Sequence, residues 1–132
     1  VGRPHWQIAP RGELRFGVRG RTPGPNRGTA DYDATGVFGT GQIGVWCFVA
    51  VVYDRQAGKV SHYMNGRLAS SAVLRNDQPL QIGSAEIGNW GRSVGRKTAP
   101  VRNFIGRMDE LTLWKVALSS SEIAAMHGGY HP

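Results

Sequence analysis

Polar and apolar residues alternate with a period of two along much of this chain. His5–Ala9 sets Trp6 and Ile8 against polar neighbours, and Leu14, Phe16 and Val18 alternate with Arg15, Gly17 and Arg19. Such alternation marks half-buried strands. Pro10-Arg11-Gly12-Glu13 between them reads as a turn, so the two segments predict a first hairpin. Gly20–Thr35 is broken by Gly, Pro, Asn and Asp and is expected to be loop. Val45–Tyr53 (V-W-C-F-V-A-V-V-Y) is almost wholly apolar, the pattern of a central strand covered on both faces. Asn65-Gly66 then sits between two strand-like runs. A two-residue hairpin loop needs positive φ at both positions, which Asn-Gly tolerates best, so a hairpin is predicted over roughly Val60–Ser71. Leu80–Ile82 and Ala85–Ile87 predict a short strand pair broken at Gly83. Asn89–Asn103 is a long basic loop, and Phe104–Trp114 is expected to be the last long strand. Ser119-x-x-Glu122 is a capping box that opens a short helix ending near Gly128. Many short strands with one late helical turn predict a two-sheet sandwich or jelly roll.

Composition narrows this further. A chain of 132 residues suits one domain with a real core, and 19 glycines fit a turn-rich fold. The single cysteine, Cys47, excludes an internal disulfide and reads as a small hydrophobe within the apolar strand. Of the four tryptophans, Trp46 and Trp114 fall inside expected strands and are assigned to the core. No run approaches the ~20 apolar residues of a membrane helix. No leader segment is visible, there is no initial Met, and Val1 lies close to an apparent strand. These features suggest a piece cut from a longer protein. The net charge is +7, with arginines crowding both the first strands and the late loop. Such a field attracts nucleic acid, anionic lipid or acidic polysaccharide, although alternating arginines also make the wet face of a sheet.

Taken in order, these segments resemble the laminin-G-like jelly-roll branch of the concanavalin A-like lectin/glucanase superfamily. The middle of that branch pairs a tryptophan and an apolar strand ending in Tyr-Asp with a Tyr-x-Asn-Gly hairpin. Here these are Trp46, Ala50–Asp54 and Tyr63-Met64-Asn65-Gly66. Its end is matched by Gly106-Arg107-Met108-Asp109-Glu110, Ala117-Leu118-Ser119 and Glu122-Ile123. I-G-N-W followed by V-R-N-F-I-G is similar to laminin-G-like domains attached to FecR-type envelope proteins of planctomycetes and related bacteria. The resemblance implies an all-β, concanavalin A-like two-sheet jelly-roll sandwich with one short C-terminal helix, a single domain over 1–132. It also implies an extracytoplasmic setting, periplasmic, cell-surface or secreted. Relatives of this kind carry further strands before the His5–Ile8 segment, so the first strands are expected to be missing.

The candidate chemistry favours recognition over catalysis. Glycoside hydrolysis needs two carboxylates flanking the scissile bond, but Asp109 and Glu110 are adjacent and point to opposite faces of a strand. Cys47 has no evident base, and His62 alternates onto a face with Val60 and Met64 as a packed or rim histidine. Gly36–Gly41 lacks the Lys and helix of a phosphate loop. Nucleic acid is suggested by charge alone. No enzyme activity and no organic cofactor are expected. Aromatic rings stack on the apolar face of a pyranose while Asn and Arg bond its hydroxyls, and Asn89, Trp90, Arg92, Arg102 and Asn103 share one loop. They form the candidate glycan site, with an acidic polysaccharide suited to the arginines. Asp31-x-Asp33 is the candidate calcium pair, because hard cations take several carboxylate and carbonyl oxygens. The expected partner is therefore a glycan. The alternative is an envelope protein bound by an interaction or sensor module, and glycoside hydrolysis is the third possibility.

Overall fold

In a computed structural model the described residues are 2–20, 29–34, 37–85, 87–88 and 104–129. The chain forms two units, Val1–Gln81 with Trp114–Pro132, and Ile82–Leu113. The first unit holds every strand of the described residues. β1 (Arg3–Ile8), β2 (Leu14–Arg19) and β3 (Thr29–Ala34) make one antiparallel sheet in that order. β4 (Val49–Asp54), β5 (Lys59–Met64) and β6 (Arg67–Val73) make a second. A short 3-10 turn covers Thr40–Gln42, and α1 spans Ser120–Gly129. The expected two-sheet, mostly β architecture with one late helix is present.

Alternation decides which face each strand buries. Phe16, Val18, Tyr32 and Val60 are buried together between the sheets, with Ala30, Val51, Tyr53 and Ala72 packed around them. The Phe16 and Tyr53 rings meet at 5.8 Å across this layer. Leu14, Ala34 and Val37 close one end against Val49 and Met64. On the far face of the second sheet, Val52 and Tyr63 pack on Ile123 of α1, with Ala50 and Leu118 beside them. β4 therefore faces apolar layers on both sides, which is why its sequence carries no alternation. It is not the middle strand, however: β5 separates it from β6.

The Asn65-Gly66 turn forms as expected, with φ of 48° and 72°. The Asn65 amide donates to the Phe48 carbonyl at 2.8 Å, and the Phe48 amide donates to Asn65 Oδ1 at 3.0 Å. A turn residue thus takes over both main-chain groups of Phe48, and the β4 ladder starts only at Val49. Trp46 and Cys47 consequently precede the strand, and Trp46 is exposed rather than part of the core. The capping box also forms: the Ser119 amide donates to Glu122 Oε2 at 2.7 Å and the Glu122 amide donates to Ser119 Oγ at 3.2 Å.

Three expectations fail for local reasons. The segment expected to be loop contains β3. Its alternation is carried by alanines and a single aromatic, Ala30, Tyr32 and Ala34, too little apolar bulk to stand out. Leu80 makes only an isolated parallel bridge with Gly2, and no strand pair forms at Leu80–Ile87 among the described residues. Phe104–Trp114 is not a strand. Glu110 has φ of 50°, which turns an extended chain, and its amide donates to Asp109 Oδ1 at 2.9 Å, a local bond that competes with a ladder. Trp114 is exposed.

Ile123 is the helix residue buried against the second sheet, at 2% exposure. Ile123→Ala should lower the unfolding free energy by ~2–4 kcal/mol. Asn65→Ala should lower it by ~1–2 kcal/mol through the left-handed backbone and the lost acceptor. Urea midpoints at constant m-value check both.

Candidate functional site

The inward turn of Leu14, Phe16 and Val18 sends Arg15, Gly17 and Arg19 to the outer face of the first sheet. Register then builds three rows across that face: Arg3 with Arg19; His5, Gly17 and Asp31; and Gln7, Arg15 and Asp33. Arg15 Nε and Nη2 donate to Asp33 Oδ1 and Oδ2, each at 2.7 Å. The same guanidinium stands 3.7 Å from Asp31 Oδ2, and His5 Nε2 lies 3.6 Å from Asp31 Oδ1. Gly17 permits this approach: a Cβ there would come within 1.9 Å of the His5 ring and 2.5 Å of Asp31 Oδ1. Behind the face, Arg75 donates to the Asp31 carbonyl and sits 5.3 Å from the centre of the Tyr32 ring.

The electrostatics follow from these contacts. The hydrogen bond from Arg15 holds the Asp33 carboxyl below its ordinary range, and Asp33 in turn raises Arg15. Burial pushes His5 down; Asp31 opposes this while Arg19 and Arg15 reinforce it. The imidazole is thus neutral at pH 7, although a carboxylate is its neighbour.

Asp31 and Asp33 were expected in a loop with calcium. They lie instead two apart on β3 and project from one face, straddling Arg15. Both Asp33 oxygens already receive hydrogen bonds. Calcium takes six to eight oxygens, and no group of three His, Cys, Asp or Glu side chains able to hold a metal occurs among the described residues. As placed, the pair engages the Arg15 guanidinium.

Asn89, Trp90, Arg92, Arg102 and Asn103, the loop expected to meet a sugar, lie outside the described residues. Its flanks belong to the second unit, where the Phe104 amide donates to the Gly88 carbonyl at 2.7 Å. Asp109 and Glu110, also in that unit, are exposed.

Of the packed and rim placements its alternation allowed, His62 takes the packed one, at 1% exposure. Its Nδ1 is 3.5 Å from Ser70 Oγ, and its Nε2 is buried without a hydrogen bond. Burial lowers its pKa against the opposing pull of Asp33. Sequence reasoning missed an open cleft of about 250 Å³ between the second sheet and the start of α1. Asp54, Lys59, Ser61, Tyr63, Ser119 and Glu122 line it, and the Tyr63 and Ser120 hydroxyls meet at 3.0 Å. Lys59, Ser61 and Tyr63 do alternate in the sequence, but nothing there brings Ser119 and Ser120 opposite them.

A glycosidase acid must hold its proton near neutrality. Asp33 and Glu122 are instead both stabilised as carboxylates, Glu122 by its Ser119 hydrogen bonds. Among the described residues no helix is long and apolar enough to cross a membrane.

Two antiparallel three-stranded sheets packed face to face, with a late helix on one of them, define a lectin-like sandwich. The chain belongs to the concanavalin A-like lectin/glucanases superfamily, in its laminin-G-like branch, matched over residues 2–124. Among solved structures it is similar to an S-layer domain-containing protein (residues 221–444) from Clostridium thermocellum, with 18% identity and a TM-score of 0.50. The match covers 88% of this chain and 52% of that one, so the chain spans about half the length of that neighbour. At this identity the likeness is one of fold. No curated protein matches.

Stability should decline on acidification in two stages. His5 and His62 have folded pKa values below the ordinary 6.5, so below about pH 6.5 the unfolded chain binds more protons and stability falls. The contribution of Asp33 is complete above about pH 4, near its unfolded value, and is lost as pH falls through its lowered folded value. Urea unfolding across pH should show a shallower decline between pH 7 and 5 in His62→Gln. Asp33→Asn should show a shallower loss below pH 4.

Proposed function

We propose that this domain is a non-catalytic glycan-recognition module of an envelope or secreted bacterial protein. The observation that carries this is the outer face of the first sheet. Carboxylates, guanidinia, an imidazole and an amide are held there on strands, in fixed rows, by register and by the Arg15–Asp33 fork. Such a surface offers donors and acceptors at set positions to a hydroxyl-rich chain, and preorganised polar groups lose little entropy on binding. The superfamily is named for lectins as well as glucanases. The loop carrying Asn89, Trp90, Arg92, Arg102 and Asn103 is a second contact region in this proposal, supported by its composition. An S-layer protein among the structural neighbours is in keeping with a setting outside the cytoplasm.

Protein recognition is the second reading. Ile43, Val45 and Trp46 are exposed within one short stretch ahead of β4, and clustered exposed apolar residues mark interaction surfaces. In this reading the domain is an interaction or sensor module of a FecR-like protein, and its partner is an envelope protein.

A glycan array probed with the full chain, in calcium and then in chelator, tests the proposal. Binding is expected, is expected to survive chelation, and should weaken about tenfold in Asp31→Asn, the scale of one charged hydrogen bond. Loss in chelator would move calcium to Asp31 and Asp33. Loss in Trp90→Ala alone would place the site in the loop. Absence of binding to any sugar, together with binding to a defined envelope protein that disappears in Trp46→Ala, would replace glycan recognition with the second reading.

A further inference from the structure

The same outer face ends in two arginines. Arg3 of β1 and Arg19 of β2 are directly opposed in the register, so their Cβ atoms stand about 4.5–5.5 Å apart and project to one side. Both are exposed. Three other arginines of this unit are engaged: Arg15 and Arg55 each hold an aspartate, and Arg75 donates to the Asp31 carbonyl; what sets Arg3 and Arg19 apart is that they face each other. Arg3 and Arg19 make no ion pair or side-chain hydrogen bond among the described residues. Like charges directly opposite destabilise a strand pair. The row beside them gives no relief, because Asp31 faces His5 and Arg15, and Gly17 has no side chain. An anion bridging the two guanidinia would remove the repulsion and form charge-assisted, bidentate hydrogen bonds, the geometry for which Arg suits a carboxylate.

The rows behind the pair restrict which anion fits. Asp31 and Asp33 occupy them, so a densely charged polyanion lying across the face would meet two carboxylates. A chain with one charge per sugar can place that charge on the arginines and its hydroxyls over Gln7, Asp31 and Asp33. We propose that Arg3 and Arg19 form an anion subsite for the carboxylate of an acidic sugar, a uronic acid unit of a polysaccharide. This rests on glycan recognition by the domain and names its ligand class.

Titration calorimetry of the full chain would use oligogalacturonate, a neutral galactan and dextran sulfate as probes. Oligogalacturonate should bind more tightly than either of the other two. Arg3→Gln combined with Arg19→Gln should weaken it by about 100-fold, the scale of losing two charged hydrogen bonds at about tenfold each, and weaken galactan binding by less than about threefold. Arg55→Gln combined with Arg67→Gln removes the same charge from the second sheet region and should change oligogalacturonate binding less than threefold. An equal loss in both double variants would reduce the effect to diffuse attraction by a basic protein and overturn the subsite. Tighter binding of dextran sulfate than of oligogalacturonate would overturn the assignment to a carboxylated sugar. Galactan binding with no preference for oligogalacturonate would overturn this inference alone, whereas no binding to any of the three would overturn glycan recognition with it.

Discussion

Two-sided packing of β4 and β5 in the second sheet is the constraint on which the rest of the first unit depends. β5 shows it most directly, since Val60, Ser61, His62 and Tyr63 are all buried in succession. Val60 belongs to the layer shared with β2 and β3, and Tyr63 to the layer shared with Ile123. A strand clamped in this way cannot slip by one residue without exchanging the contents of two cores. The Asn65-Gly66 turn at its end is held equally firmly. It faces α1, where a Cβ on Gly66 would come within 3.0 Å of His127, and its asparagine binds Phe48.

Two tyrosine hydroxyls carry this order into the segment after β6. Tyr32 accepts from the amides of Arg75 and Asn76 at 2.9 and 3.2 Å. Tyr53 donates toward the carbonyls of Asn76 and Gln78 and accepts from the Gln78 amide at 3.2 Å. Each ring is packed in or against the inter-sheet core while its hydroxyl satisfies main-chain groups that no ladder pairs. The stretch from Leu74 to Leu80 is therefore shaped by the core beneath it. Arg75, drawn across Tyr32, braces the strand that carries Asp31.

The polar face inherits its geometry from the same packing. Once Phe16, Val18 and Tyr32 commit inward, Arg15, Arg19, Asp31 and Asp33 have no choice but to share the outer side. Their protonation is then set by neighbours three strands wide rather than by their own surroundings in sequence. Asp33 becomes a fixed anion beside Arg15, and His5 stays neutral next to Asp31 because burial outweighs the carboxylate.

The sequence by itself determined the elements whose signals are local. The first hairpin, the Asn-Gly turn, the Ser119–Glu122 cap and the two-sided burial of β4 could all be read from a few neighbouring residues, because period, left-handed φ and capping are short-range physics. So could the face His62 occupies, which it shares with Val60 and Met64, though not whether it sits at the core or at the rim. β3 was hidden because alanines and one tyrosine carry its alternation, and only the partner strand β2 makes that pattern a strand. The start of β4 at Val49, inside the apolar run, was decided by the bond that Asn65 makes to Phe48, seventeen residues before it. Phe104–Trp114 was expected as the last long strand, but the backbone turns at Glu110, where no ladder holds it extended. For the site, sequence found Asp31 and Asp33 but saw two loop acids. Their tie to Arg15, the Gly17 gap that lets His5 reach Asp31, and the opposition of Arg3 and Arg19 exist only in the register of three strands, which no local pattern specifies.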